Sequence, residues 1–502
     1  MNNNISKTKS GITGLIWMFF GNIFNTVIQL LIIAVLSRLL TPAEFGVMSI
    51  ILIFVNFSDI FTQMGIGSAI VQLEKLTKKH ISLSFAISFI LGSIIGTLFY
   101  FIAPLIAIFF NLENLDEPIQ FFSFFFPLKS FTGVAFSILQ RELKFSIIVK
   151  CRSISYFLGY GLVSIILAYM GMGLWALIYG QLAMLLINFI LVMFLVKPSF
   201  TLIANKKTYK DILVFGSGFT LDSSFNFIAE NSDNIIVGKF LGEASLGVYS
   251  KAFQFLSIPA SFFGQLYDKV LFPVLSSIQN DVKKLTSFYF FSISFCLIIL
   301  LPVSVFLMFN AELLVNVLLG NQWTSVILPF QILIIGFCFR FGTRINKSFL
   351  KSLGYVYKSA KYQIIFAAIM AISTYVGLNF WELNGVALGV LFATVINYIQ
   401  VSYRIHKILK FKFIDFLNLH FRMFIIFSPI ILIILIFLLS DYYSMIFALI
   451  FSAIVILPLF IIAIRHKKSI YYNKHNLDML KQIIENLPNG AKKIARKIKL
   501  IK

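Results

Sequence analysis

Charge is what this chain lacks most. Only 12% of its 502 residues are Asp, Glu, Lys or Arg, while 59% are hydrophobic. A soluble domain carries about 25% charged residues, so a water-exposed surface of this size is excluded. Cysteine is scarce as well. Cys151, Cys296 and Cys338 lie in or beside apolar stretches without metal-ligand spacing, and they read as small core residues. The five histidines, His80, His406, His420, His466 and His475, fall near the expected cytoplasmic ends of segments, which suggests no His-based acid–base or metal centre. No GxxxxGK[ST] loop occurs, so ATP is not the direct energy source. No loop on the outer side is long enough for a catalytic domain, so the chain reads as a non-enzyme without cofactors.

What the chain has is apolar length. Fourteen runs, from Ile12–Leu39 to Tyr443–Ile464, approach or exceed the length a helix needs to cross a bilayer. Continuous runs rather than period-two alternation select helices, and helices satisfy their own backbone in lipid. The expected fold is an all-α polytopic membrane protein. Cations test the count. The joins after even-numbered runs hold Lys75, Lys78 and Lys79, then Arg141, Lys144, Lys150 and Arg152, then Lys197, Lys206, Lys207 and Lys210, and so on. Opposite joins are short, and Asn111–Pro118 carries only acids. Basic loops stay in the cytoplasm, so both termini are expected there. The net charge of +22 therefore reflects topology and anionic lipid rather than nucleic acid. The run after MNNNISKTKS is too long for a cleaved signal. The tail 466–502 is basic and amphipathic, and reads as a lipid-surface helix or else as a partner-binding tail.

One stretch recurs. SRLLTPAEFGVMS from Ser37 is echoed 201 positions later (238 − 37) by GKFLGEASLGVYS from Gly238. Leu40, Ala43, Gly46, Val47 and Ser49 meet the same residue types, and Arg38 meets Lys239. Leu128–Lys129 aligns with Phe339–Arg340 at an offset of 211, and GLWA at Gly173 with GVAL at Gly385 at 212. Runs one to six therefore match runs seven to twelve. An even shift keeps both halves in one orientation, so parallel repeats about the membrane normal are expected. The domains are expected as a six-helix bundle over 1–200, a second over 206–410, two additional helices over 421–465, and the tail. The Ser37 motif itself reads as a hinge region at the outer mouth, with Arg38 and Lys239 flanking the exit.

Ionisable groups at membrane depth usually face a cavity or a partner. Lys129 in run four and Arg340 in run ten are repeat-related, with Arg344 one turn further on. They line a positive cavity, or else they are ion-paired or snorkelling structural residues. In run seven Asp222, Asn226, Glu230 and Asp233 recur at spacings of three and four. Such a stripe binds a coupling cation, exchanges protons, pairs with Lys129 and Arg340, or serves a helix–helix network. Asp59 in run two, near Asn56 and Gln63, belongs with these groups.

The stretches LSRLLTPAEFGVMSI, MGIGSAIVQ, GMGLWALIYGQL, NSDNIIVGKFLGEASLGVYSKA and LFPVLSSIQND resemble the Wzx-type polysaccharide (O-antigen) flippases of the multidrug/oligosaccharidyl-lipid/polysaccharide exporter superfamily. The resemblance implies a V-shaped pair of six-helix bundles. It implies transfer of a polyprenyl-diphosphate-linked oligosaccharide, destined for O-antigen, capsule or exopolysaccharide, to the outer leaflet. It also implies membrane lipids, a polysaccharide polymerase and a chain-length regulator as neighbours of a monomer. The residues agree: diphosphate needs Arg forks and Lys point charges. An inside-negative potential favours outward movement of anions by about 2.3 kcal/mol per charge per 100 mV. An ion-coupled antiporter for small organic cations and a lipid II-type flippase are the alternatives on the same fold.

Overall fold

The computed structural model describes residues 21, 23–63, 65–73, 76–113, 115–196, 206–257, 275, 278, 281–353 and 360–438. Run fourteen and the tail lie outside the described residues. Everything described in regular structure is helical. The helices are α1 (Ile23–Leu39), α2 (Pro42–Gln63), α3 (Ile66–Gln72), α4 (Lys78–Phe110), α5 (Asp116–Ser123), α6 (Phe126–Arg141), α7 (Phe145–Tyr169) and α8 (Leu174–Val196). There follow α9 (Lys206–Phe240), α10 (242–257), α11 (Val282–Phe309), α12 (Ala311–Leu318), α13 (Ile327–Ile335), α14 (Phe337–Ser352), α15 (Ala360–Leu409) and α16 (Phe413–Leu438). Among the described residues six helices are long and apolar enough to cross a membrane, or up to eight if two bent pairs each count as one span.

Packing divides the chain into two compact units. One comprises Met1–Lys251, Leu318–Trp323 and Gln363–Ala371; the other comprises Ala252–Val317, Thr324–Tyr362 and Ile372–Lys502. In the first, Ile66 and Ile70 of α3, Leu83 and Phe85 of α4, and Phe131, Val134, Ala135 and Ile138 of α6 form a buried core. In the second, Tyr289 of α11 packs edge-on against Phe349 and stacks on Phe411 and Phe416, with centroids 5.2, 5.6 and 6.4 Å away.

The helix ends follow local chemistry. Thr77 caps α4: its hydroxyl accepts the His80 N–H at 3.4 Å, while the His80 ring reaches back to the Thr77 N–H. Asp281 caps α11 by accepting the Lys284 N–H at 3.0 Å, and that bond holds its carboxyl below the usual carboxylate range. One face of α4 carries Ile94, Leu98, Phe101, Leu105 and Ile108, all more than half exposed. An apolar stripe of that length is incompatible with water and suits acyl chains.

α15 doubles back on itself. The break lies at Trp381 and Glu382 (φ 45°), between expected runs eleven and twelve. Ser373 donates to the Gly389 carbonyl at 2.9 Å. A Cβ on either Gly377 or Gly385 would overlap the other's carbonyl oxygen. Gly385→Val is therefore expected to force the hairpin apart and cost about 1–3 kcal/mol. A lower unfolding temperature of the purified protein in detergent would show it.

Candidate functional site

The two repeat-related runs with half-buried cations are both bent. α5 meets α6 at 49°, and the stretch Asn321–Ile335 meets α14 at 44°. The offset of 211 carries Phe126–Arg141 onto Phe337–Ser352 end for end, and both helices have 16 residues. The breaks have local causes. Pro127 sits in the first turn of α6 and supplies no N–H. Gly336 sits at the second break and is buried.

Each cation is the fourth residue of its half-helix (126 to 129, 337 to 340). The Lys129 N–H bonds back to the Phe125 carbonyl at 3.0 Å, and the Arg340 N–H to that of Gly336 at 2.9 Å. A cation in the first turn opposes the helix dipole, at a cost of about 0.3–1 kcal/mol. Two helices accept that cost at the same place. The positive helix end and the side chain together favour an anion.

The surroundings of the two cations differ. Lys129 Nζ pairs with Asp59 Oδ2 of α2 at 2.8 Å, with side chains 20% and 25% exposed. The acid that meets Lys129 thus comes from run two, whereas the sequence had offered the stripe of run seven. Arg340 is half-buried, with its guanidinium carbon 4.4 Å from the Phe253 ring centroid. Arg344 is exposed one turn on.

The run-seven residues separate in their environments. Asp233 is 1% exposed. It accepts the Tyr249 hydroxyl at 2.7 Å and the Asn234 N–H at 2.8 Å. Glu230 is exposed and Asn226 half-buried; the side chain of Asp222 lies outside the described residues.

The two copies of the repeated motif touch. A Cβ on Gly46 of α2 would overlap the Glu243 carbonyl, and a Cβ on Gly247 of α10 would overlap the Pro42 carbonyl. These contacts are reciprocal, since an offset of 201 maps 46 to 247 and 42 to 243. Beside the crossing, the Ser37 carbonyl accepts the Trp323 indole N–H at 2.7 Å and the Gln322 amide. The Ser37 hydroxyl donates to the Leu319 carbonyl at 3.2 Å. Lys251, 5% exposed, holds its ammonium 3.6 Å from the Phe45 ring centroid. Arg38 is exposed, with its side chain beside Gly320. Lys239 contacts Asn111 Oδ1 at 3.4 Å and lies 5.1 Å from the Phe109 ring centroid.

Sequence reasoning missed two cations. Lys251 has no repeat signal, because Ile50 stands at the equivalent place. Arg152, counted above as a loop cation, lies inside α7 with its guanidinium 5.0 Å from the Phe136 ring centroid. A basic residue so close to a loop is hard to assign from composition. A further repeat pair also escaped notice: α4 and α11 each contain one proline, Pro104 and Pro302, and each ends at an asparagine, Asn111 and Asn310.

Comparison with known proteins gives a consistent picture. The family described as "Polysaccharide biosynthesis protein" matches residues 35–328. The chain is 26% identical over 429 residues to the "Uncharacterized membrane protein in cps region" of Klebsiella pneumoniae, covering 84% of this chain and 87% of that protein. It is 22% identical to the "Lipopolysaccharide biosynthesis protein WzxC" of Escherichia coli K12, covering 78% and 80%. Among solved structures, "Lipid II flippase MurJ, inward closed conformation" matches with a TM-score of 0.71 at 17% identity, over 89% of this chain and 98% of that one. An inward-facing multidrug resistance MATE family transporter of the MOP superfamily matches at 0.63 and 17%, over 79% and 99%. At these identities the structures establish a shared fold.

Proposed function

The chain belongs to the polysaccharide biosynthesis protein family, and from that premise we propose that it flips a polyprenyl-diphosphate-linked oligosaccharide to the outer leaflet by alternating access. The observation that carries this reading is the matched pair of bent runs, each with a cation on the fourth residue of its second helix. Lys129 and Arg340 each offer a cation to the diphosphate, and Arg344 adds charge beside Arg340. Asp59 is the resident counter-ion of Lys129, which the substrate displaces on binding and which reclaims Lys129 on release. The polyprenyl chain stays in lipid. The chemistry needed is binding and movement; no bond is made or broken.

The crossing of α2 and α10 at Gly46 and Gly247 is the gate. On the expected topology it lies at the outer side, closed when the helices touch and open when they part. Ser37, Gln322, Trp323 and Lys251 latch it. In this reading both termini are cytoplasmic in the inner membrane, with fourteen spans in two six-helix repeats, 1–200 and 206–410, and two extra helices over 421–465. The tail 466–502 lies on anionic lipid. The polymerase and chain-length regulator act on the product outside, and the transporter works as a monomer.

A cation antiporter would want acids available to its substrate. Of the acids described at these positions, Asp59 meets Lys129 and Asp233 meets Tyr249 while Glu230 stays exposed, and the two engaged acids support the anionic substrate. Deleting the gene tests the choice. Flipping predicts loss of surface glycan, accumulation of its lipid-linked precursor, and rescue by a plasmid copy. Unchanged surface glycan with altered resistance to organic cations would instead support the antiporter.

Asp59→Asn separates the roles of the pair. Without its counter-ion, Lys129 is expected to bind bare polyprenyl diphosphate about three- to tenfold more tightly, and release should slow. A tighter Kd with reduced export fits counter-ion exchange; unchanged binding contradicts it.

A further inference from the structure

α7 departs from α-helical winding over Tyr156–Val163, where it forms a π-helix. Such turns are rare and often mark functional positions. Here the turn organises two tyrosines. Phe157, Leu158 and Leu162 are exposed on one side, at 50%, 42% and 44%, and form the lipid face. Gly159 abuts the backbone of α8 at Met184, and Gly161 abuts Ile32 of α1. With α1 and α8 on the two flanks, Tyr156 and Tyr160 point inward. Both are half-buried, and their rings lie 5.3 Å apart at 31°.

The tyrosines lie on the helix that follows the one bearing Lys129. On α6, Phe131, Val134, Ala135 and Ile138 face the core. Another face presents Lys129, Gly133 and Gln140, none of them fully buried, and Phe136 lies between that face and the core it packs against. The Arg152 guanidinium lies near Phe136, so the α7 edge that bears Arg152, Tyr156 and Tyr160 adjoins that face. The neighbouring helices add polar atoms. Close contacts at 21 with 149 and 32 with 161 align α1 with α7, and those at 159 with 184 and 164 with 180 align α8. This registers Asn25 and Asn188 near the level of Arg152 and Tyr156. The side-chain oxygens of both asparagines are buried and make no hydrogen bond among the described residues. A buried oxygen in that state suits a hydroxyl donor.

We infer that Tyr156 and Tyr160 form a stacking platform for the saccharide of the lipid-linked substrate, with Asn25 and Asn188 accepting from its hydroxyls. The inference rests on the flippase reading. Sugar rings present C–H faces that pack on aromatic faces, and hydroxyl rims that need acceptors. α7 returns antiparallel to α6 after the turn at 142–144, so the tyrosines come back toward the level of Lys129, where a sugar would lie beside the diphosphate.

The test uses the full-length protein in nanodiscs and two probes: lipid-linked glycan extracted from host membranes of a strain deleted for this gene, and bare polyprenyl diphosphate. Wild type should prefer the glycan-bearing lipid. Tyr156→Leu with Tyr160→Leu should weaken that lipid about tenfold and leave the bare lipid within about twofold. Tyr156→Phe with Tyr160→Phe keeps the rings and should stay near wild type. Equal wild-type affinity for both lipids overturns the platform, as does a leucine variant that matches wild type or loses both lipids alike. Wild type binding neither lipid better than a control phospholipid overturns the flippase reading itself.

Discussion

Gly247→Leu is expected to reduce glycan export to below about a tenth of wild type while the protein still reaches the membrane. The reason is steric and local. Any Cβ at this position overlaps the Pro42 carbonyl, a backbone atom that cannot swing aside as a flexible side chain would. Leucine must separate α2 from α10. Overpacking of this kind costs about 1–3 kcal/mol and sometimes more. The cost falls only on the state in which the helices touch, so it shifts the access equilibrium by up to about two decades. Gly46→Leu should do the same, because its Cβ meets Glu243 reciprocally. Gly247→Ala should be intermediate. Surface glycan quantified against membrane protein level checks the series. Normal export by both leucine variants would remove the gate from the account.

The second large effect concerns charge. Lys129→Glu combined with Arg340→Glu is expected to abolish export, below about a hundredth of wild type, through repulsion of the diphosphate and a second carboxylate beside Asp59. Loss of function alone would not separate substrate binding from the structural role of the Lys129–Asp59 pair. Replacing both partners with apolar residues of similar size does. Partly buried pairs tolerate such exchange, often with no loss of stability. Lys129→Met with Asp59→Leu should therefore fold normally yet fail to export. Export near wild type would assign the pair a structural role.

Much of the fold was legible because a bilayer restricts the choices. Apolar length gave the helical membrane class, and one of the three echoes marked the two bent helix pairs whose second helices have equal length. The bends were not legible: Phe124 and Phe125 carry no breaker, and the cause, Pro127, lies just beyond them. The identity of Gly46 and Gly247 was visible, but their contact was not, because a sequence match does not say that equivalent residues pack on each other. The partner of Lys129 was likewise hidden. Asp59 lies 70 positions away (129 − 59), and Ala260 stands at its repeat position, so no echo marks it. The run-seven stripe had the right spacing, yet Tyr249 of α10 buries Asp233 while Glu230 stays exposed.

A flippase must move its lipid-linked glycan across the bilayer. The direct measurement reconstitutes the purified protein in liposomes loaded with glycan-bearing polyprenyl diphosphate extracted from the deletion strain. An impermeant lectin or glycosidase then reads the fraction that reaches the opposite leaflet. The account predicts protein-dependent movement in wild type and its loss in the Lys129→Glu, Arg340→Glu variant. Movement no faster than in protein-free liposomes, or equally fast with the variant, would contradict it.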